Sequence, residues 1–223
     1  MAGGAAMNSL TKLALGLMGQ LKPRHTDGEP AEAWTLPPPQ VLGGVPLMEA
    51  LSRRESTRAF DPEPLAPQVL SDLLWAAAGI NRASLGGRTA PSALNAQEVL
   101  VYAALPGGLY RYDPAPHALH LVTADDVRRV TGYQDFVDTA PLDLIYVADH
   151  ERMKLVPAGQ REAFAFAAAG AMAQNVYLFC ASAGLGAVIR AWFDHRALAE
   201  AMGLDAERQL LLAQTVGRPG GAR

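Results

Sequence analysis

Between Arg53 and Arg58 the chain places three guanidiniums and the hydroxyls of Ser56 and Thr57 within six residues. Such a set suits a phosphate monoester, because the guanidinium fork matches phosphate oxygens and a hydroxyl adds a directional hydrogen bond. Arg54, Ser56 and Arg58, spaced two apart, are the trio that could converge on one dianion. The same residues could instead form a solvated basic turn, salt-bridged by Glu49 or Glu55, and the segment alone does not choose between the two.

Other polar clusters are less pointed. The run Pro91-Ser92-Ala93-Leu94-Asn95-Ala96-Gln97 reads by itself as a polar turn. His117 and His120 lie three apart on a hairpin strand, where they would face opposite sides, and His25, His150 and His195 are isolated, so no metal centre is expected. There is no Gly-x-Ser-x-Gly elbow for Ser–His hydrolysis. Gly184-Leu185-Gly186 lacks the third glycine of a dinucleotide loop and precedes no clear helix, which argues against a Rossmann unit. The single cysteine, Cys180, excludes an intrachain disulfide framework and fits a reducing, cytoplasmic setting; beside Leu178 and Phe179 it reads as a buried structural thiol.

The elements that would position these residues follow from periodicity. Pro46 opens a short helix carrying Leu47, Met48 and Leu51 at helical spacing, and this helix points into the basic segment. A second helix starts at Pro67, buries Val69, Leu70, Leu73, Leu74 and Ala77, and ends at Gly79 in a left-handed cap. Strands are expected over Glu98–Leu105, over Leu109–Tyr112 and Leu119–Val122 around the turn Asp113-Pro114-Ala115-Pro116, over Leu142–Ala148 and over Leu210–Val216. Arg161–Ala183 predicts a long helix, apolar on nearly every side and so buried all round. The order is mixed rather than alternating, so an α+β fold is expected.

At 223 residues, half of them hydrophobic, the chain can bury a sizeable core. Residues 22 to 45, rich in Pro and Gly, read as an extended arm, which divides the chain into an N-terminal extension (1–45) and one folded domain (46–223). A formal net charge of -3 offers no footprint for nucleic acid, so a small-molecule partner is expected. Leu13–Met18 is followed by Gln20, Leu21 and Lys22 rather than a small-x-small cleavage site, so it is not read as a secretory signal. Gln174 and Asn175 in the middle of the long helix would be costly in lipid, and the run is built of Ala rather than Leu, so no membrane span is expected. Its small residues, Ala167 to Ala171 and Ala173, would admit another backbone, within the monomer or across a subunit interface.

The run Ala50–Asp61, together with the helix ending Ala76-Ala77-Ala78-Gly79, resembles the opening of the nitroreductase family. The family motif Arg-x-Ser-x-Arg/Lys-x-Phe falls on Arg54, Ser56, Arg58 and Phe60. A second motif, Pro-Ser-x-x-Asn-x-Gln, falls on Pro91, Ser92, Asn95 and Gln97, with Glu98 where the family's proline would stand. Gly170–Leu178 followed by Gly184-Leu185-Gly186 resembles the family's interface helix and loop, and Val216-Gly217-Arg218-Pro219 resembles its closing strand.

The resemblance implies a nitroreductase-like α/β/α sandwich with a mixed, mainly antiparallel sheet, in an intertwined homodimer with FMN at the subunit interface. It implies ping-pong transfer of electrons from NADH or NADPH through flavin N5 to a small organic acceptor, nitroaromatic or quinone-like. Arg54, Glu55, Ser56 and Arg58, with Arg218 and Arg223, would hold the FMN phosphate and ribityl; Glu55 occupies a variable position. Pro91, Ser92, Ala93 and Asn95 would cover the flavin from the partner subunit. Ile189, Arg190 and Ala191 would run along the isoalloxazine, with a backbone N–H near Ala191 donating to N5, and Tyr133 and Arg190 are candidate substrate contacts. No catalytic acid or base is implied. Gly107–Leu121 and Gly132–Phe136 look most like the branch that includes thiazole and oxazole peptide dehydrogenases, which keeps open an azoline-peptide dehydrogenase using oxygen. A flavin-binding dimer without catalysis is the other alternative.

Overall fold

The computed structural model describes residues 7–26 and 31–221. Along the chain lie α1 (Ser9–Leu17), β1 (Ala33–Thr35), α2 (Leu47–Arg53), α3 (Pro67–Ala78), β2 (Ile80–Arg82), β3 (Gly87–Arg88), β4 (Val99–Leu105), β5 (Gly108–Asp113), β6 (Ala118–Thr123), β7 (Leu142–Asp149), α4 (Ala158–Ala183), β8 (Gly186–Arg190), α5 (His195–Met202) and β9 (Arg208–Gly217). The main sheet has seven strands in the order β1-β6-β5-β4-β7-β9-β8, and β2 and β3 form a small ribbon beside it. Every ladder in the main sheet is antiparallel. A parallel contact comes from an isolated bridge between Ser56 and Ala187. The fold is α+β with a mainly antiparallel sheet, as expected.

Side-chain alternation divides the sheet's two faces between two cores. Val99, Val101 and Ala103 of β4 and Leu142, Leu144, Tyr146 and Ala148 of β7 join the buried faces of α3 and α4. Tyr102 and Ala104, with Ile145 and Val147, pack instead with Phe193, Leu198 and Met202. The central strand β7 is buried along its whole length, which is why it reads as a near-continuous apolar run.

Two expectations need correction, the cap at Gly79 and the burial of α4. Gly79 ends α3 in an extended conformation (φ -68, ψ 164), not a left-handed one. The glycine is required there by the Trp75 ring, since a Cβ would stand 2.3 Å from Trp75 Cδ1. Helix α4 is not buried all round: Ala165, Ala168, Ala169, Met172, Ala173, Val176, Tyr177 and Cys180 face inward, whereas Ala163, Phe166, Ala167, Gly170 and Gln174 form an exposed stripe on the single chain. In α2 the buried residue is Ala50, and Leu47 and Met48 are 63% and 75% exposed. Periodicity shows that a face is apolar, not which body covers it.

The arm before Pro46 is packed onto the domain. In α1 the side chain of Lys12 is fully buried, paired with Asp138, and donates to the Gln134 carbonyl at 2.9 Å. Leu21 and Leu36 enter the two cores, and β1 pairs with β6 at the sheet edge. His117 stands in the turn before β6 (φ 50) rather than on the strand. Its Nε2 lies 2.7 Å from Ser71 Oγ, which itself donates to the Pro37 carbonyl at 2.6 Å. Isolated anchors such as these leave no periodic signal in a Pro-rich run.

Candidate functional site

After α2 ends at Arg53, the basic segment runs along the outer edge of β8. Thr57 donates its N–H to the Ala187 carbonyl at 3.0 Å, next to the Ser56–Ala187 bridge. Gly186 permits this approach, because a Cβ there would lie 2.6 Å from Thr57 Cβ. The chain leaving β9 crosses the same segment. Asp61 N donates to the Arg218 carbonyl and Gly220 N to the Ala59 carbonyl, each at 2.9 Å. Arg218 is thereby brought beside Arg58–Asp61, although 160 residues separate Arg218 from Arg58 in sequence.

Arg53 is consumed by an ion pair with Glu49, one turn back. The Arg54 guanidinium lies 5.4 Å from the centre of the Tyr177 ring. Arg58 opens onto a cleft of about 1020 Å³ that Phe60, Gln134, Asp135 and Phe136 also line. Among the described residues, Arg54, Arg58 and Arg218 form no carboxylate ion pair; Glu49 is taken by Arg53, and Asp61 accepts the Glu63 N–H. Glu55 lines another recess with Arg53, Thr57, Tyr177 and Gly184. Arg223 lies outside the described residues.

Tyr177, which the motifs did not single out, connects this segment to β8. Its oxygen accepts the Ile189 N–H at 2.9 Å and stands 3.1 Å from Ser56 Oγ. With one lone pair taken by Ile189, the phenol can direct its own hydrogen to Ser56, which frees the serine hydrogen for an incoming oxygen. A lone aromatic hydroxyl in an Ala-rich helix was the signal available for it.

At the end of β8, Ala191 and Trp192 are exposed, and Trp192 meets Tyr133 edge-on with ring centres 5.4 Å apart. Burial and the neighbouring charge of Asp194 hold the Tyr133 phenol above its usual range. Arg190 turns the other way. Its guanidinium is buried, pairs with Asp143 at 2.8 Å, bonds Thr131 and Thr215, and lies over the Phe136 ring. A substrate contact through that side chain is therefore withdrawn.

The Pro91 loop is strained: Leu94, Asn95 and Gln97 have φ of 53, 54 and 52, a region costly for residues other than glycine. Ser92 Oγ accepts the Gln97 N–H at 2.9 Å, and the Gln97 side chain is clamped by Arg88 and the Gly86 carbonyl. Pro91, Leu94 and Asn95 are left pointing outward, and Ala93 is half-buried. The next residue, Glu98, is fully buried, and neither carboxylate oxygen has a hydrogen-bond partner. Burial pushes its acid up from the ordinary carboxylate range.

Residues 51–218 match the model of the nitroreductase family. The chain belongs to that family. A Methanocaldococcus jannaschii protein carrying the family name is 30% identical over 162 residues, 68% of this chain and 81% of that protein. The crystal structure of a nitroreductase-family protein from Ralstonia eutropha is 54% identical and superposes with a TM-score of 0.84, over 90% of this chain and 95% of that one. A Desulfovibrio desulfuricans structure solved with FMN shares the fold at 24% identity and a TM-score of 0.56, over 81% of this chain and 92% of that one. As a nitroreductase-family member the chain is an oxidoreductase.

Proposed function

We propose that this nitroreductase-family protein is an FMN-dependent oxidoreductase. In this reading it carries electrons, in a ping-pong cycle, from NADH or NADPH through flavin N5 to a small nitroaromatic or quinone-like acceptor. The observation that carries the reading is that Arg54 and Arg58, with the main chain of Arg218 crossing the same segment, form no carboxylate ion pair among the described residues, while Ser56 Oγ stands 3.1 Å from the Tyr177 hydroxyl. Bound FMN supplies the hydride chemistry at its N5 atom.

The chain's own residues bind and orient. Arg54, Ser56, Arg58 and Arg218, with Arg223 in the same role, hold the phosphate by charge-assisted bonds, and Glu55 borders it. The main chain of Ile189, Arg190 and Ala191 would border the flavin ring, and the Ala191 N–H would serve as the donor to N5, where a fixed donor would stabilise developing charge. Tyr133 and Trp192 border the acceptor. No side chain is assigned as acid or base.

Pro91, Ser92, Ala93 and Asn95 cover the flavin of a second subunit. Support for the homodimer comes from the apolar surface that one chain leaves open: the small-residue stripe of α4 and the exposed Leu47 and Met48 of α2. The working unit is the domain 46–223 together with α1 and β1 of the preceding segment, which pack onto it.

The test is an absorbance spectrum of the purified protein, reconstituted with FMN and then given anaerobic NADH or NADPH. Flavin bands that bleach with at least one nicotinamide are expected. Protein that stays colourless after reconstitution overturns the reading, and a folded monomer with bound FMN in light scattering overturns its dimeric part.

A further inference from the structure

The ladder between β4 and β5 runs only from Tyr102↔Arg111 to Leu105↔Gly108. Toward its N-terminal end β4 stays paired with β7 through Val99↔Ala148 and Leu100↔Val147, while β5 continues to Asp113 in company with β6. The hairpin thus peels away from β4, and a cavity of about 110 Å³ opens between them. Arg88, Arg111 and Arg152 line it, with Gln97, Tyr112 and Asp113.

Three guanidiniums against one carboxylate leave the lining two positive charges in excess. Internal pairing offsets only Arg152, which meets Asp149 at 3.4 Å. Among the described residues Arg88 and Arg111 make no carboxylate ion pair, and Asp113 has only His120, at 4.0 Å. Arg88 is fixed by its Nε on Gln97 and its Nη1 on the Ala78 carbonyl, which leaves Nη2 over. Arg152 uses Nε on Asp149 and Nη1 on the Gln97 carbonyl, and also keeps Nη2. Burial works against the charged form of Arg88, with Arg152 adding to it and Tyr112 and Asp113 opposing it.

We propose that this cavity is a second anion site, separate from the Arg54–Arg58 segment, which takes the phosphoryl group of a small phosphorylated compound through Arg88, Arg111 and Arg152. Three guanidinium forks, two of them without a carboxylate ion pair among the described residues, fit a phosphate dianion better than a single carboxylate. Arg88 and Arg152 also hold Gln97, so an occupant of the cavity would bear directly on the strained Pro91 loop.

The experiment is calorimetric titration of the FMN-loaded protein with inorganic phosphate and, separately, with glycerol phosphate. Saturable binding of one ion per chain is expected, weakened roughly tenfold or more in Arg111→Ala and in Arg152→Ala and partly kept in Arg111→Lys. Arg111 is exposed, so these variants should fold, which their melting temperatures check. A preference for glycerol phosphate over inorganic phosphate identifies an ester as the ligand, and the reverse identifies the free ion; either supports the site. Arg54→Ala with Arg58→Ala should keep this binding whether or not FMN binds, which separates the proposal from the flavin reading. Absence of saturable binding, or binding unchanged in Arg111→Ala and Arg152→Ala, overturns it.

Discussion

The Tyr177 hydroxyl stands 3.1 Å from Ser56 Oγ, joining the middle of α4 to the basic segment, while the same oxygen accepts the N–H of Ile189 on β8. One phenol thus sets the register between the residues assigned to the phosphate and those assigned to the flavin ring.

Tyr177→Phe should therefore weaken FMN binding while leaving the chain folded. The ring under Arg54 is kept, but Ile189 loses its acceptor and Ser56 its hydroxyl partner. One lost hydrogen bond of about 1 kcal/mol corresponds to roughly a fivefold rise in Kd. Titration of FMN fluorescence measures it, and an unchanged Kd would remove Tyr177 from the site.

Lys12 tests the packing of α1 onto the domain. Asp138 lies at the centre of a buried cluster that also contains Arg24 at 3.1 Å and Arg129 at 3.5 Å. Desolvation works to lower the Lys12 pKa while Asp138 opposes it. Lys12→Ala should cost about 3 kcal/mol, the low end for a broken buried pair because the two arginines remain. The double change Lys12→Ala with Asp138→Ala should cost less than the two single changes added together. Urea melts measure this coupling, and strict additivity would show that the pair does not hold the arm.

Glu98 carries a pH signature. Its acid is raised in the folded protein, so the unfolded chain releases the proton first as pH rises. The sign follows: stability linked to Glu98 is full below the unfolded carboxylate value, about 4.3, and falls as pH climbs through the raised folded value. Glu98→Leu removes two unsatisfied buried oxygens and should gain about 1–3 kcal/mol at pH 7. That gain should shrink toward pH 4, and melting curves of both proteins between pH 4 and pH 8 show whether it does.

The strands and the main helices were legible because alternation and helical spacing survive wherever a face meets the core, as in β4 and β7. Arg54, Ser56 and Arg58 were legible because phosphate chemistry needs those side chains at close spacing. Arg218 entered through a closing motif, and its place beside Arg58 comes from the crossing of the last turn over Ala59–Asp61. Tyr177 was not legible, since its role depends on a contact 121 residues away in sequence. Arg190 misled because sequence gives no direction for a side chain at the end of a strand, and here Asp143 draws it inward. The apolar spacing of α2 and α4 was legible as pattern, but spacing does not say which body covers each face, and on the single chain Leu47, Met48 and one stripe of α4 are open.

The central claim is that the basic segment grips the phosphate of FMN, and comparison of FMN with riboflavin tests it most directly, because the two differ by that phosphate. The dissociation constants of both should be measured by fluorescence titration for the native protein and for Arg54→Ala with Arg58→Ala. The account predicts that the native protein prefers FMN by about a hundredfold or more, at roughly 1.5–3 kcal/mol for each charge-assisted contact, and that the double variant loses most of this preference while riboflavin affinity hardly changes. Equal affinity for the two flavins in the native protein, or an undiminished preference in the variant, would contradict it.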